Sequence, residues 1–259
     1  MVEAIKYLNK ECFKYEFSIV LKRTGIIELD NKTFYKNFRV PKEQINKVFK
    51  DQYIFGTTKK TNLSLFAKKY KSGIKAIALD EDDQLVGTAI TSGNDEILLA
   101  SSSGKLIRFN ESHVRHMGRT ARGVRGITLK KDEKLISLMV GDPLKTILCV
   151  SENGYGKKTS LEDFPSHNRG GQGVISMKTS ERNGSMVAAA LVENEDGIML
   201  ISDKGTMIRT SVVQVPTLSR NTQGVKIISP KDGEKLIECV TIPNEEDHDE
   251  DGDQNQEED

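Results

Sequence analysis

Tryptophan is absent from this 259-residue chain, and aromatic residues of all kinds make up 6% of it. A large aromatic core is therefore excluded, and packing must come from aliphatic side chains. The three cysteines, Cys12, Cys149 and Cys239, lie too far apart for any zinc-type spacing and read as reduced thiols. The four histidines, His113, His116, His167 and His248, form no metal motif with them, so no metal or other cofactor is expected. No apolar run approaches the length of about 18 residues that a membrane-spanning helix needs, so no membrane association is expected. Val2-Glu3-Ala4-Ile5-Lys6 does not read as a secretory leader, which points to the cytoplasm. No Ser/His/Asp order or paired-carboxylate arrangement stands out. No catalytic residue is assigned.

Basic residues are lacking in the last fifteen positions, Glu245 to Asp259, where ten acidic residues stand without a Lys or Arg. The formal net charge is zero, yet without that tail 38 basic residues face 28 acidic ones. A segment with so little to bury is expected to be disordered, either as a solubiliser or as an electrostatic competitor for the basic remainder.

What the chain does have is a period of 50 or 51 residues. Gly73, Gly123, Gly173 and Gly224 mark one position in four repeats, and Gly104, Gly154 and Gly205 mark a second. A period of this length indicates a propeller or solenoid in which each repeat is one supersecondary unit. The apolar runs Ile97–Ala100, Ile147–Val150 and Ile198–Ile201 read as buried strands. Each leads into a glycine turn and a return strand: Lys105–Phe109, Tyr155–Thr159 and Thr206–Thr210. Further strands are expected near Leu135–Val140 and Leu236–Val240, giving about four strands per repeat. The expected organisation is a degenerate or partial unit over 1–50, repeats at about 51–92, 93–142, 143–193 and 194–243, and the tail over 244–259. Within the first unit, Phe17–Leu21 and Gly25–Leu29 read as a hairpin, and Ile45, Val48 and Phe49 fall at helical spacing.

Positive charge is locked to the period. A cation stands four residues before each glycine of the first set: Lys69, Arg119, Arg169 and Arg220. Another stands four residues after each glycine of the second set: Arg108, Lys158 and Arg209, with Lys60 extending the series through the alignment of Lys59–Leu63 with Lys157–Leu161. Lys and Arg interchange while charge persists. Strand alternation puts Arg108 on the face opposite Ile107 and Phe109. Equivalent positions on successive blades would make the cations a curved track for a polyanion, although repeats copied from one ancestral unit would also copy inert surface residues. Gly154-Tyr155-Gly156-Lys157-Lys158-Thr159 lacks the spacing of a nucleotide-binding loop and opens no helix.

Met117-Gly118-Arg119-Thr120-Ala121-Arg122-Gly123-Val124-Arg125-Gly126-Ile127 resembles the C-terminal domain of the bacterial DNA gyrase A protein, with its counterpart in topoisomerase IV as near neighbour. So do Glu152–Thr159, Gly170–Ile175 and Arg220–Val225 with its acidic tail, over about residues 51–259. The resemblance implies an all-β fold, a β-pinwheel of about four to five propeller-like blades. It implies that a basic perimeter (Lys60, Lys69, Arg108, Arg119, Arg122, Arg125, Lys158, Arg169, Arg209 and Arg220) binds and wraps duplex DNA irrespective of sequence in support of supercoiling. It further implies the remainder of gyrase A and the ATP-binding gyrase B protein as partners, and residence at the nucleoid. The family's wrapping motif, roughly Gln-basic-Arg-Gly-Gly-basic-Gly in the first blade, finds its nearest match in His167–Gly173 of a later blade, with most of the charge missing. None of Tyr7, Tyr15, Tyr35, Tyr53, Tyr70 and Tyr155 follows an arginine, as the family's DNA-cleaving tyrosine does. The chain is thus not expected to cleave DNA by itself. Two other readings stand beside this one: a free-standing architectural DNA-binding protein without a topoisomerase partner, and a protein-binding propeller of the kelch kind. The missing tryptophan weighs against the latter.

Overall fold

In the computed structural model, residues 16–23, 54–66, 75–79, 83–231 and 233–244 are described, residues 16–23 and 54–55 for their backbone only. Along the chain run β1 (Glu16–Arg23), β2 (Ile54–Asn62), β3 (Asp83–Thr91), β4 (Glu96–Ser101), β5 (Lys105–Asn110), β6 (Val124–Leu129), β7 (Leu135–Val140), β8 (Thr146–Ser151), β9 (Tyr155–Ser160), β10 (Val174–Ile175), β11 (Met186–Val192), β12 (Gly197–Ser202), β13 (Met207–Ser211), β14 (Val225–Lys226) and β15 (Leu236–Ile242). They pair into four antiparallel sheets with the orders β3-β1-β2-β6, β10-β5-β4-β7, β11-β8-β9-β14 and β13-β12-β15. The fold is an all-β pinwheel. The last three sheets are built around the hairpins β4–β5, β8–β9 and β12–β13, and the first three sheets are completed by a strand from the following repeat. Thus β6 pairs with β2, β10 with β5 and β14 with β9.

The glycines make this exchange possible. Gly104 turns the β4–β5 hairpin at φ +76°, and a Cβ there would lie 2.0 Å from the carbonyl oxygen of Met177 in the next repeat. Gly173 has φ +71°, and a Cβ would come within 2.4 Å of the Leu106 carbonyl oxygen on β5. A side chain would be strained by the dihedral and would also break the seam between repeats.

The core lies between successive sheets. Ile97 and Leu99 of β4 pack with Ile107, Phe109 and Ile127 toward the first sheet. Leu98 and Ala100 pack toward the third with Ile147 and Phe164. A strand buried on both faces reads as a continuous apolar run, which is why β4 and β8 are buried from their second residue onward. In β12 only Ile198, Leu200 and Ser202 are buried and the alternate residues are half-buried, because no further sheet covers that face among the described residues.

The expected strands are found within a residue or two. Phe17–Leu21, expected in a hairpin with Gly25–Leu29, lies in β1, which pairs with β2 on one side and β3 on the other and is one of the two inner strands of the first sheet. Gly25–Leu29, the helical spacing at Ile45–Phe49, Lys69, Cys12 and the tail from Glu245 lie outside the described residues.

Candidate nucleic-acid interface

The two cation series end up in different places. Three members of the series on the return strands turn into the seams between repeats. Each receives a backbone bond from the next repeat, from Met117 N to Lys60 O, His167 N to Arg108 O and Leu218 N to Lys158 O, at 2.8–2.9 Å. Their side chains follow the same direction. Lys60 is 3% exposed, with Nζ 3.2 Å from Oε2 of Glu111. Lys158 is 4% exposed and donates to Oδ1 of Asn194 at 2.7 Å. Arg108 donates from Nε to Glu96 Oε2 at 3.0 Å and from Nη1 to the carbonyls of Leu161 and Phe164, both at 3.1 Å. The outward placement expected for Lys60 and Lys158 is therefore corrected: strand exchange lays the next repeat over them. Arg209 alone of this series is exposed, because β13 carries no strand from a following repeat among the described residues. Met207 and Ile208 are exposed beside it, whereas the equivalent Leu106 and Ile107 are buried.

Glu111 anchors the first seam. Burial alone would raise its pKa, but bonds from the Asp95 amide, the Thr91 hydroxyl and Lys60, with the Lys60 charge, hold it below the usual carboxylate range. Glu96 is likewise lowered against its burial, by Ser166, Arg108 and Asn110.

The other series sits on the loops that precede the exchanged strands. Arg119 donates from Nη1 to the Lys75 carbonyl at 3.3 Å, Arg169 to that of Arg125 at 2.9 Å, and Arg220 to that of Ile175 at 3.2 Å. Arg169 adds a bond from Nε to the His113 carbonyl at 2.8 Å, and Arg220 lies 5.8 Å from the centroid of the Phe164 ring. The acceptor is always two residues beyond the first-set glycine of the preceding repeat, so the period of the arginines is a period of staples. All three guanidiniums stay half-exposed and face no carboxylate among the described residues, while Arg122, on the loop of Arg119, and Arg125, the second residue of β6, are exposed. Arginine has donors to spare after such a bond, and a guanidinium without a counter-charge suits a phosphate.

Sequence reasoning missed the residues beneath these loops. Lys59 and Lys157 are both 0% exposed. Lys157 Nζ donates to the carbonyls of Ser219 at 2.6 Å and Arg220 at 2.7 Å. Lys59 Nζ donates to the Ala76 carbonyl at 3.0 Å and to that of Arg119. Burial, helped by the Arg119 charge, lowers Lys59 to about 8. Burial is also the main cause that lowers Lys157 to about 8, with Arg220 adding to it and Cys149 and Asp163 opposing. The lysine doublets were visible, but the period marked only their second members, because the first position alternates Lys59, Ile107, Lys157 and Ile208. The glycine-rich segment around Lys157 is thus strand β9 holding a loop from below. Also missed was Tyr155, whose ring centroid has Arg182 at 5.0 Å and Lys226 at 5.8 Å; only side-chain packing brings these together.

The lowered values fix a pH dependence. Between about pH 8 and 10.5 the unfolded chain binds more protons at these lysines than the folded one, so they make stability rise with pH across that window. Urea unfolding at several pH values should show wild type gaining on Lys157→Met from pH 7.5 to 9.5, by at most about 1.4 kcal/mol per pH unit. A constant difference would show that Lys157 titrates normally.

The family model of the DNA gyrase C-terminal domain, beta-propeller, matches residues 55–92, 95–142, 145–193 and 198–243. The chain belongs to this family. The DNA gyrase A protein of Pseudomonas aeruginosa is 51% identical over 183 residues, covering 71% of this chain and 20% of that protein. The gyrase A protein of Salmonella typhimurium is 47% identical over 182 residues, covering 70% and 21%. The chain thus spans about a fifth of the length of these gyrase A proteins. Among solved structures, the C-terminal domain of DNA topoisomerase IV matches with a TM-score of 0.70 at 21% identity, over 87% of this chain and 79% of that one. The C-terminal domain of DNA gyrase A matches with 0.67 at 23%, over 89% and 83%. The gyrase family segments contain all three arginine loops, the buried lysines and Glu111. Strand β1, which completes the first sheet, lies before them.

Proposed function

We propose that this chain binds duplex DNA without sequence preference and bends it along the loops of Arg119, Arg169 and Arg220, as the C-terminal part of a gyrase A protein that supports supercoiling. The observation that carries the reading is the repeat of one half-exposed guanidinium, without a carboxylate partner among the described residues, at the same place on three successive loops. Arg122 and Arg125 enlarge the contact, and Lys69 extends the series. Lys60, Arg108 and Lys158 hold the repeats in register so that the loops stay evenly placed. Cations that neutralise phosphates release counterions and give an affinity that depends on salt and not on base sequence. Bending 20–30 base pairs costs on the order of 1–6 kcal/mol, so several contacts along one path are needed to retain the bend. In this reading the partners are DNA, the rest of gyrase A and the ATP-binding gyrase B protein, in the bacterial cytoplasm at the nucleoid. Strand cleavage and ATP use belong to those other parts.

The test is to bind the chain to nicked plasmid, ligate, and read the linking number after its removal. A shift that grows with protein is expected. Saturating binding with no shift would refute wrapping and leave an architectural coat.

A further inference from the structure

Resting on the DNA-binding reading, we infer that Lys59 and Lys157 are positioning residues for the arginine of the following repeat, each buried ammonium fixing the upstream half of the loop that presents Arg119 or Arg220. Two of the three loops share a downstream anchor: the Thr222 carbonyl accepts from Lys178 N at 2.9 Å, and the Gly171 carbonyl from Thr128 N at 2.8 Å. They differ upstream. In the loop of Arg220, the carbonyls of Ser219 and Arg220 turn inward and both end on Lys157 Nζ. In the loop of Arg169, the residue beneath is Ile107, which has no donor. There Gly170 takes φ +87°, its N–H reaches the Gly126 carbonyl at 2.6 Å, and its own carbonyl accepts from Thr128 Oγ1 at 2.7 Å. Ile107 Cδ1 would lie 3.7 Å from a Cβ on Gly171.

The chain therefore contains two solutions to one problem. Lysine beneath goes with Thr120-Ala121 or Asn221-Thr222 above, and isoleucine beneath goes with Gly170-Gly171. Over an apolar side chain the inward-turned Arg220 carbonyl would lose the ammonium it now accepts from, while the Ser219 carbonyl would keep its bond from Thr222 Oγ1 at 3.0 Å; proteins avoid leaving such a carbonyl without a partner. With isoleucine the loop must instead take a backbone path that only glycine adopts easily. The lysine, bonded to the arginine's own carbonyl, sets where the guanidinium emerges without touching a phosphate.

A double-mutant cycle on the full chain tests this, with fluorescence anisotropy on a duplex of about 40 base pairs at several salt concentrations. Wild type, Lys157→Ile, Arg220→Ala and the double variant are compared. Lys157→Met, which keeps the aliphatic stem, stands in if the isoleucine variant does not fold. Lys157→Ile and Arg220→Ala should each weaken binding about fivefold and lower the salt slope by about 1, with no further loss in the double variant. Adding Asn221→Gly, Thr222→Gly and Lys178→Thr to Lys157→Ile should restore binding, by giving that loop the glycines found above Ile107 and the hydroxyl that Thr128 supplies there. Wild-type affinity for Lys157→Ile, losses that multiply in the double variant, or failure of these added changes to restore binding would overturn the positioning role. Absence of salt-dependent binding by wild type would instead overturn the DNA reading itself.

Discussion

Replacing Glu111 by glutamine should lower the unfolding free energy by about 3–5 kcal/mol, a large part of what holds a domain together. Glu111 is 0% exposed and faces Lys60, itself 3% exposed. It also accepts from Thr91 Oγ1 and from the amides of Gly93 and Asp95, each at 2.8 Å. Glutamine keeps the shape and some of the bonds but removes the charge facing a buried ammonium, and the desolvation of Lys60 is then no longer offset. The contrast within the same chain is Lys145–Glu193, at 2.9 Å with side chains 33% and 51% exposed. Water screens that pair, so Glu193→Gln should cost less than about 1 kcal/mol. Urea unfolding of both variants measures the difference. Adding Lys60→Met to Glu111→Gln should recover much of the loss, and equal costs for Glu111→Gln and Glu193→Gln would show that the seam is not held by this pair.

Changing Arg119, Arg169 and Arg220 together to glutamine should reduce the slope of log affinity against log salt by about 2.7, since each phosphate contact contributes about 0.9. At about 0.1 M salt the affinity should fall roughly 30-fold or more. Glutamine ends two bonds short of the Nη1 atoms that now reach the carbonyls of Lys75, Arg125 and Ile175, but these lie at half-exposed loop positions where water can take the place of the lost donor. The fold should therefore survive, and circular dichroism with the unfolding midpoint checks that it does. Neutralising the inward series would behave differently: Lys158→Gln should act on stability first, because its ammonium lies in a seam on Asn194.

The hairpins were legible because two constraints coincide in the residues that form them. Gly104 needs a positive φ for its turn and also lies against the backbone of Met177. Ile97–Ala100 is continuously apolar because both of its faces are buried. The period placed the cations at equivalent points of each repeat. It could not tell which way a cation points. Arg108 and Arg119 are equally periodic, yet Arg108 is drawn into a seam by Glu96, Leu161 and Phe164, whereas Arg119 donates to a backbone carbonyl at a loop surface. Exchange pairs residues more than one period apart, such as Leu106 with Val174 and Gly156 with Val225, and no local pattern announces it. The same blindness hid Lys59 and Lys157, which bond the carbonyls of Arg119 and Arg220 in the next repeat. It also hid the pairing of β1, whose Phe17–Leu21 core was legible as a strand but whose neighbours β2 and β3 lie a long stretch of sequence away.

A row of repeat-locked cations on the phosphates of duplex DNA is the claim on which the rest depends. Its most direct measurement is the equilibrium affinity of the wild-type chain for two duplexes of equal length and unrelated sequence, each titrated from about 0.05 to 0.2 M salt. Equal affinities that fall together with a steep common slope are predicted. An affinity that follows the base sequence, or that does not change with salt, would contradict it.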